Sequence, residues 1–481
     1  MLGRRRRVLP VALAAALALV LVAAVVLVVR PGPVADWLGG GNPPATAEAV
    51  PEPTPVAVLP GADPNAPLPS TEGVRAALAP LVGVPELGSR VNLAVADVAT
   101  GQPVFSWGED VPTVPASVTK LVTAVTVLAA RGPAYRITTR AVAGPNPGEV
   151  VLVGGGDPTL AVDAKGFYPG AARLDDLAGQ VTAALGGTAP TRVLVDTSLY
   201  AGPVHEPGWD DDIPTGGYGA SITALMTDGA RRDPVEARKA AAAGQHGAVR
   251  VAKPDVVAGQ AFARLLGLPA DAVAAGTAPV AGPTAAAGTP GSELGSVESL
   301  PMVRLVDIMI SDSDNVVAEA LARQVALARG QPASFTGAAA AMDTVAAELG
   351  LPAQEMALAD GSGLSRTNRI SPSLLTDLIA LAGNGSHPEL AAVFGGLPVA
   401  GWSGTLADRY GATATTTGAG AVRAKTGTLT RVHAIAGLVS TADGRLLTFA
   451  VLTDDVPPDG LVAARRALDR IAATLAACGC R

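Results

Sequence analysis

The sequence predicts a mixed α/β fold of the α+β kind, an antiparallel sheet flanked by helices and interrupted by a long inserted region. Three observations carry that prediction. A hairpin pattern stands early, at residues 90–107. Alternating strands and an amphipathic helix stand at the C-terminal end. Between them, from residue 135 to 290, the texture changes to short strands and alanine- and glycine-rich stretches. If the early hairpin joins the late strands, the two ends of the chain form one domain and the middle is an insertion.

The chain opens with four arginines at positions 4–7, followed by an uncharged apolar run over residues 8–29. As a helix that run would rise about 33 Å, enough to span a bilayer. We expect an uncleaved anchor with the arginines in the cytoplasm and the rest of the chain outside; the alternative is a cleaved signal peptide and secretion. Residues 31–69 are rich in proline, glycine and alanine and show no apolar period, the composition of an extended linker.

In the folded part, a helix is expected over residues 70–81, with Ser70 as its N-cap and Val74, Leu78 and Leu81 on one face. Residues 90–98 alternate as a strand, and residues 103–107 return as its partner after the Thr100-Gly101 turn. A helix starts at Ser117 and ends before Gly132-Pro133. In the inserted region, strands are expected at 135–143, 149–153 and 192–196, with helices at 174–185 and 256–266. Gly154-Gly155-Gly156 reads as a tight turn, since no lysine or serine follows at nucleotide-binding spacing. Helices resume at 299–310 and 316–329. A strand is expected from residue 421 to Lys425, then strands at 431–440 and 445–453 about the Asp443-Gly444 turn, and a last helix from residue 459. The domain plan is therefore an anchor (1–30), a linker (31–69), one domain from 70–134 and 291–481, and an insertion of one or two small domains (135–290).

Three motifs stand in order along this frame: Ser117-Val118-Thr119-Lys120, Ser313-Asp314-Asn315 and Lys425-Thr426-Gly427. The rest of the basic positions are overwhelmingly arginine; the lysines are only Lys120, Lys165, Lys239, Lys253 and Lys425, and two of them lie in the motifs. Arginine stays charged, whereas a desolvated lysine can lose its proton and act as a base. Ser117 and Lys120, three apart on a helix, share a face. A serine hydroxyl is a weak nucleophile until a neighbouring neutral amine takes its proton. Lys425 would supply the second cation that lowers the basicity of Lys120. Ser313 and Asn315, two apart in a turn, suit proton transfer to a leaving amine and a hold on the substrate's peptide group. Strand alternation sends Lys425 and Gly427 to one face, where the missing side chain at Gly427 admits substrate backbone. The set equips a serine acyl-transfer enzyme acting on a substrate with a carboxylate.

These motifs resemble those of the penicillin-interacting serine enzymes. Pro115-Ala116-Ser117, Gly154-Gly155-Gly156-Asp157-Pro158, the segment from Asp360 to Arg366, Gly404-Thr405-Leu406 and Lys425-Thr426-Gly427-Thr428-Leu429 are similar to the D-alanyl-D-alanine carboxypeptidases of the penicillin-binding protein 4 type. The resemblance runs from about residue 70 to 475 and implies a transpeptidase-like domain carrying insertions. It further implies that Ser117 attacks the carbonyl between two D-alanines of a peptidoglycan stem peptide, with Lys120 as base and Ser313 as proton relay. Asn315, Lys425, Thr426, Gly427 and Thr428 would bind substrate, and the N–H groups of Ser117 and Thr428 would form the oxyanion hole. Stem peptides and β-lactams are the implied partners, with no cofactor. Asp360 and Ser362 belong either to a loop at the cleft or to a structural turn. Arg431-Val432-His433 departs from the small residues the family pattern leads one to expect, which bears on the cleft's entrance.

Other classes fit less well. The net charge of −7 without a basic stripe beyond the N-terminus argues against nucleic acid. The four histidines and the lone Cys478-x-Cys480 pair lack metal-ligand spacing. A β-lactamase would need a deacylating Glu-x-x-Leu-Asn loop, which is missing, and a non-catalytic wall-binding protein would have no use for both motif lysines. The balance between carboxypeptidase and endopeptidase action is open at this level.

Overall fold

The computed structural model describes residues 65–245, 247–281 and 288–479. The expected anchor, most of the linker, His246 and Cys480 lie outside the described residues. No helix among those described is long and apolar enough to cross a membrane.

In chain order the helices are α1 (Thr71–Val82), α2 (Thr119–Arg131), α3 (Leu174–Ala184), α4 (Asp212–Thr215), α5 (Pro234–Ala242), α6 (Pro254–Leu265), α7 (Met302–Ser311), α8 (Asn315–Ala328), α9 (Phe335–Glu348), α10 (Pro372–Gly383) and α11 (Leu461–Ala476). The strands are β1 (Val91–Asp97), β2 (Pro103–Trp107), β3 (Thr138–Ala143), β4 (Glu149–Val153), β5 (Arg192–Asp196), β6 (Val273–Ala275), β7 (Glu293–Glu298), β8 (Met356–Ala357), β9 (Arg369–Ile370), β10 (Val422–Leu429), β11 (Val432–Ser440) and β12 (Leu446–Thr453).

The first sheet has the order β10-β11-β12-β1-β2, antiparallel throughout, so the early hairpin joins the late strands through β1 and β12. Alternation sorts its side chains between two apolar layers. Ala434, Ala436, Leu438, Ala450 and Leu452 pack against α2, α7, α8, α9 and α10. Ile435, Val439, Phe449 and Val451 pack against α1 and α11. Helix α2 lies so deep that every residue from Thr119 to Leu128 is buried. Asp97 is wholly buried at the end of β1 and receives a two-pronged bond from Arg445, at 2.6 and 2.7 Å, tying β1 to the turn before β12.

The second sheet has the order β6-β5-β4-β3-β7 and mixes parallel with antiparallel pairs. One of its faces packs against α3 and α6. Strand β7 pairs with β3, so this sheet runs past the boundary expected at residue 290. The Glu293–Glu298 segment carries only Leu294 and Val297 as apolar side chains, three apart rather than alternating, too little pattern to announce a strand.

Two further differences bear on the site. Strand β10 does not end at Lys425 but runs through the whole Lys-Thr-Gly motif to Leu429. Ser117 does not begin a helix: it sits in a 3-10 turn, Ala116–Val118, ahead of α2.

Candidate active site

The turn that carries Ser117 is held open by backbone geometry. Ala116 has φ of 47°, a left-handed value uncommon for a residue with a Cβ, and Thr119 Oγ1 donates to its carbonyl at 2.8 Å. Two glycines let other segments close on this turn. A Cβ on Gly363 would lie 1.9 Å from Ala116 O, and one on Gly427 would lie 2.7 Å from Pro115 O and 3.0 Å from Ser117 N. Strand β10 thus packs directly against the turn bearing the serine.

Lys120 is wholly buried in the first turn of α2, and its Nζ donates to Ser117 Oγ (3.0 Å), Asn315 Oδ1 (2.5 Å) and Ser362 O (2.7 Å). Asn315 Nδ2 donates to Tyr218 O at 2.9 Å, which fixes its amide oxygen toward the lysine. An ammonium has three hydrogens and here meets three acceptors. A neutral amine has two hydrogens and a lone pair. A carbonyl and an amide oxygen can only accept, so they claim both hydrogens and leave the lone pair aimed at the Ser117 hydroxyl. Burial pulls the Lys120 pKa down to about 8, against the charges of Asp360, Glu319 and Asp314, which favour the ammonium. The neutral form is therefore accessible near neutral pH.

The second and third motifs meet across the cleft. Lys425, also wholly buried, donates from Nζ to Ser313 Oγ at 2.9 Å and to Thr426 O at 2.8 Å. Its pKa lies well below the ordinary value because of burial and then the charge of Lys120. Ser313 has φ of 56°, a second left-handed non-glycine residue at the site. Asp314 turns away from the cleft and caps α8, accepting from the N–H groups of Val316 and Val317 at 3.0 and 3.2 Å. Thr426 Oγ1 lies 2.9 Å from Thr405 Oγ1, in the Gly404-Thr405-Leu406 segment. Strand β10 has β11 on one side only. Ala424 N–H donates to Pro398 O on its other side, so the ladder's alternation puts the N–H groups of Thr426 and Thr428 on that open edge. Thr428 is exposed there and Gly427 is buried. All eight candidate residues thus lie around Ser117 or along the facing strand.

The fold adds groups that the motifs do not announce. Ser362 contributes its carbonyl to Lys120, and its N–H donates to Glu319 Oε1 at 2.9 Å. Glu319 also accepts from Gly361 N–H at 3.1 Å, and burial raises its pKa to about 7. Asp360, wholly buried, accepts from Gly363 N–H, Ser365 N–H, Asn368 Nδ2 and, from the region between the first two motifs, Trp209 Nε1 at 2.8 Å. The Asp360 to Arg366 segment is therefore both a turn and part of the cleft. A helical acid four residues after Asn315 was a legible signal for Glu319; a backbone carbonyl has none. His433 lies buried in β11, its pKa lowered to about 4 by burial, so it is neutral and forms no part of the entrance. Arg431 bends back to Asp455 at 2.6 Å. Among the described residues no group of His, Cys, Asp and Glu could hold a metal ion.

The model of the D-Ala-D-Ala carboxypeptidase 3 (S13) family matches residues 74–258 and 237–475. The chain belongs to that family. As an S13 member it is a serine-type D-Ala-D-Ala carboxypeptidase. It is 39% identical over 445 residues to the carboxypeptidase DacB of Mycolicibacterium smegmatis, a match covering 90% of this chain and 91% of that one. It is 27% identical over 432 residues to a D-alanyl-D-alanine carboxypeptidase of an Actinomadura species, covering 75% and 77%. This S13 carboxypeptidase shares its fold with penicillin-binding protein 4 of Haemophilus influenzae, at a TM-score of 0.64 and 19% identity over 82% of this chain and 97% of that one. The mixed α/β architecture of a penicillin-binding protein is thereby established.

Proposed function

We propose that this carboxypeptidase works through an acyl-enzyme on Ser117, cleaving the bond between the two D-alanines of a peptidoglycan stem peptide. The observation that carries this reading is the buried Lys120 Nζ, 3.0 Å from Ser117 Oγ and held by two groups that only accept. Neutral Lys120 takes the Ser117 proton as Oγ bonds to the carbonyl carbon. The oxyanion forms beside the N–H groups of Ser117 and Thr428. As the C–N bond breaks, Ser313 Oγ gives its proton to the leaving nitrogen and recovers one from the lysine side of the network, so the proton taken from Ser117 is returned. Water then releases the acyl group by the reverse transfers.

Lys425 and Thr426 hold the terminal carboxylate, Gly427 gives substrate backbone access to the strand, and Asn315 contacts the substrate's peptide group. A β-lactam, whose carboxylate and amide carbonyl mimic that dipeptide, acylates the same serine. We also place residues 1–30 as a membrane anchor and 31–69 as a tether, with the catalytic portion outside the membrane, where peptidoglycan lies. The catalytic domain is built from both ends of the chain around the inserted region.

The test is labelling of the purified chain with fluorescent penicillin beside a Ser117→Ala variant. One covalent label per chain, lost in the variant, is expected; equal labelling of the variant would remove Ser117 from the reaction. Digestion of pentapeptide and cross-linked muropeptides, followed by mass spectrometry, then divides carboxypeptidase from endopeptidase action.

A further inference from the structure

Three residues in succession, Asp228, Gly229 and Ala230, have φ of 54°, 60° and 62°. A left-handed conformation is unfavourable wherever a Cβ is present, and here two of the three carry one in a buried turn. The turn is over-determined by its bonds. Asp228 N–H donates to Leu160 O and Gly229 N–H to Pro158 O, both at 2.8 Å, and Arg250 Nη1 donates to Gly229 O at 2.6 Å. A Cβ on Gly229 would come within 2.7 Å of both Arg231 Nη1 and the Tyr168 hydroxyl.

What the turn accomplishes is the delivery of Arg231. Its guanidinium lies 3.6 Å from the Phe167 ring centre and donates to Tyr168 OH at 2.7 Å and to Asp314 Oδ2 at 2.9 Å. Tyr168 OH in turn donates to the same Asp314 oxygen at 2.7 Å. Asp314 is the middle residue of the second motif and divides its carboxylate between two tasks: Oδ1 caps α8, and Oδ2 is gripped by Arg231 and Tyr168. Its neighbours on either side are Ser313, in the left-handed conformation that brings Oγ to Lys425, and Asn315, whose Oδ1 meets Lys120. With the central side chain pinned, the flanking two are turned the other way, into the cleft.

We propose that Arg231 and Tyr168 are positioning residues for the reaction: they hold Asp314, and through it the Ser313 hydroxyl, in line for proton transfer to the leaving nitrogen. The segment between the first and second motifs is then a working part of the catalytic apparatus. The proposal rests on the relay assigned above to Ser313, and its test separates the two. Hydrolysis of an acyl-D-Ala-D-Ala peptide is compared with that of an acyl-D-Ala thiolester whose leaving thiolate carries a carboxylate. An amine must be protonated to leave and a thiolate need not be. Tyr168→Phe is expected to lower kcat on the peptide roughly ten-fold, with KM little changed and the thiolester rate within two-fold of the parent. Arg231→Met is expected to lower the peptide rate further in the same selective way, and Arg231→Met with Asp314→Asn, which leaves no unpaired buried carboxylate, keeps the test open should the single variant fail to fold. Active-site titration with penicillin normalises each rate to folded enzyme. Equal losses on both substrates, or none in folded variants while Ser313→Ala remains peptide-selective, would overturn the positioning role. If Ser313→Ala itself lacks that selectivity, the relay falls and this proposal with it.

Discussion

Glu319 Oε1 accepts the Ser362 N–H at 2.9 Å, while the carbonyl of the same serine accepts Lys120 Nζ at 2.7 Å. An acid on α8 thus orients a loop residue that in turn orients Lys120. Its charge also reaches Lys120 directly, favouring the ammonium. Replacing Glu319 by Gln removes that charge and should move the rising limb of the pH–acylation profile to lower pH. Stopped-flow acylation by a chromogenic β-lactam across pH 6–10 reads the shift; an unmoved limb in a folded variant would show that Glu319 does not act on the base.

In the parent enzyme the same limb should rise through about pH 8, where Lys120 passes from ammonium to amine. The sign follows from burial, which disfavours the charged form and so lowers the pKa of a lysine. A profile flat from pH 6 to 9 would be inconsistent with Lys120 as the base.

Lys120→Arg keeps charge and approximate reach but cannot become neutral. Acylation of Ser117 should fall by roughly 10²–10⁴, the range a positioned general base contributes. Second-order labelling rates with fluorescent penicillin, measured alongside thermal melting, would separate this loss from misfolding.

Thr426→Val removes the hydroxyl that lies 2.9 Å from Thr405 Oγ1 on the edge of β10. Selectivity for a free carboxylate over a C-terminal amide should drop about ten-fold, equivalent to about 1.4 kcal/mol, as for one lost hydrogen bond to a charged group. Comparing kcat/KM for paired peptides, acid and amide, gives the ratio directly.

Away from the cleft, Asp97 and Arg445 form a buried pair whose rupture leaves one charge uncompensated. Arg445→Met should cost about 3–5 kcal/mol in urea unfolding. Burial tends to raise the Asp97 pKa, but the bonds from Arg445 and Thr100 outweigh it and hold it below the ordinary 3.8. Its stabilising contribution is therefore complete above that value and is lost as pH falls through the lower folded value. Acid unfolding that begins at higher pH when the pair is intact would contradict this sign.

The chemistry was legible in the sequence because few residue types can do it: in a chain whose basic positions are overwhelmingly arginine, two of the five lysines fall in the motifs. The closing of β1 on β12 was legible from alternation at both ends. Helix α9 was not, since its FTGAAAAMDTVAAE sequence is apolar or small almost all round and offers no stripe. Nor was the role of Ser362, which acts at the site through its main chain. The grip of Arg231 on Asp314 joins residues 83 apart through a left-handed turn, and no local pattern foretells a contact of that kind.

The two buried lysines have a thermodynamic consequence. Among the described residues the Lys425 amine meets only the Ser313 hydroxyl and the Thr426 carbonyl, and burial with the charge of Lys120 holds its pKa well below the ordinary value. A ligand carboxylate arriving beside Lys425 raises that lysine's proton affinity, so association draws protons from solution wherever the free enzyme holds the amine neutral. Calorimetric binding heats would then vary with the ionisation enthalpy of the buffer, and the folded state would gain stability from small carboxylates that are never cleaved.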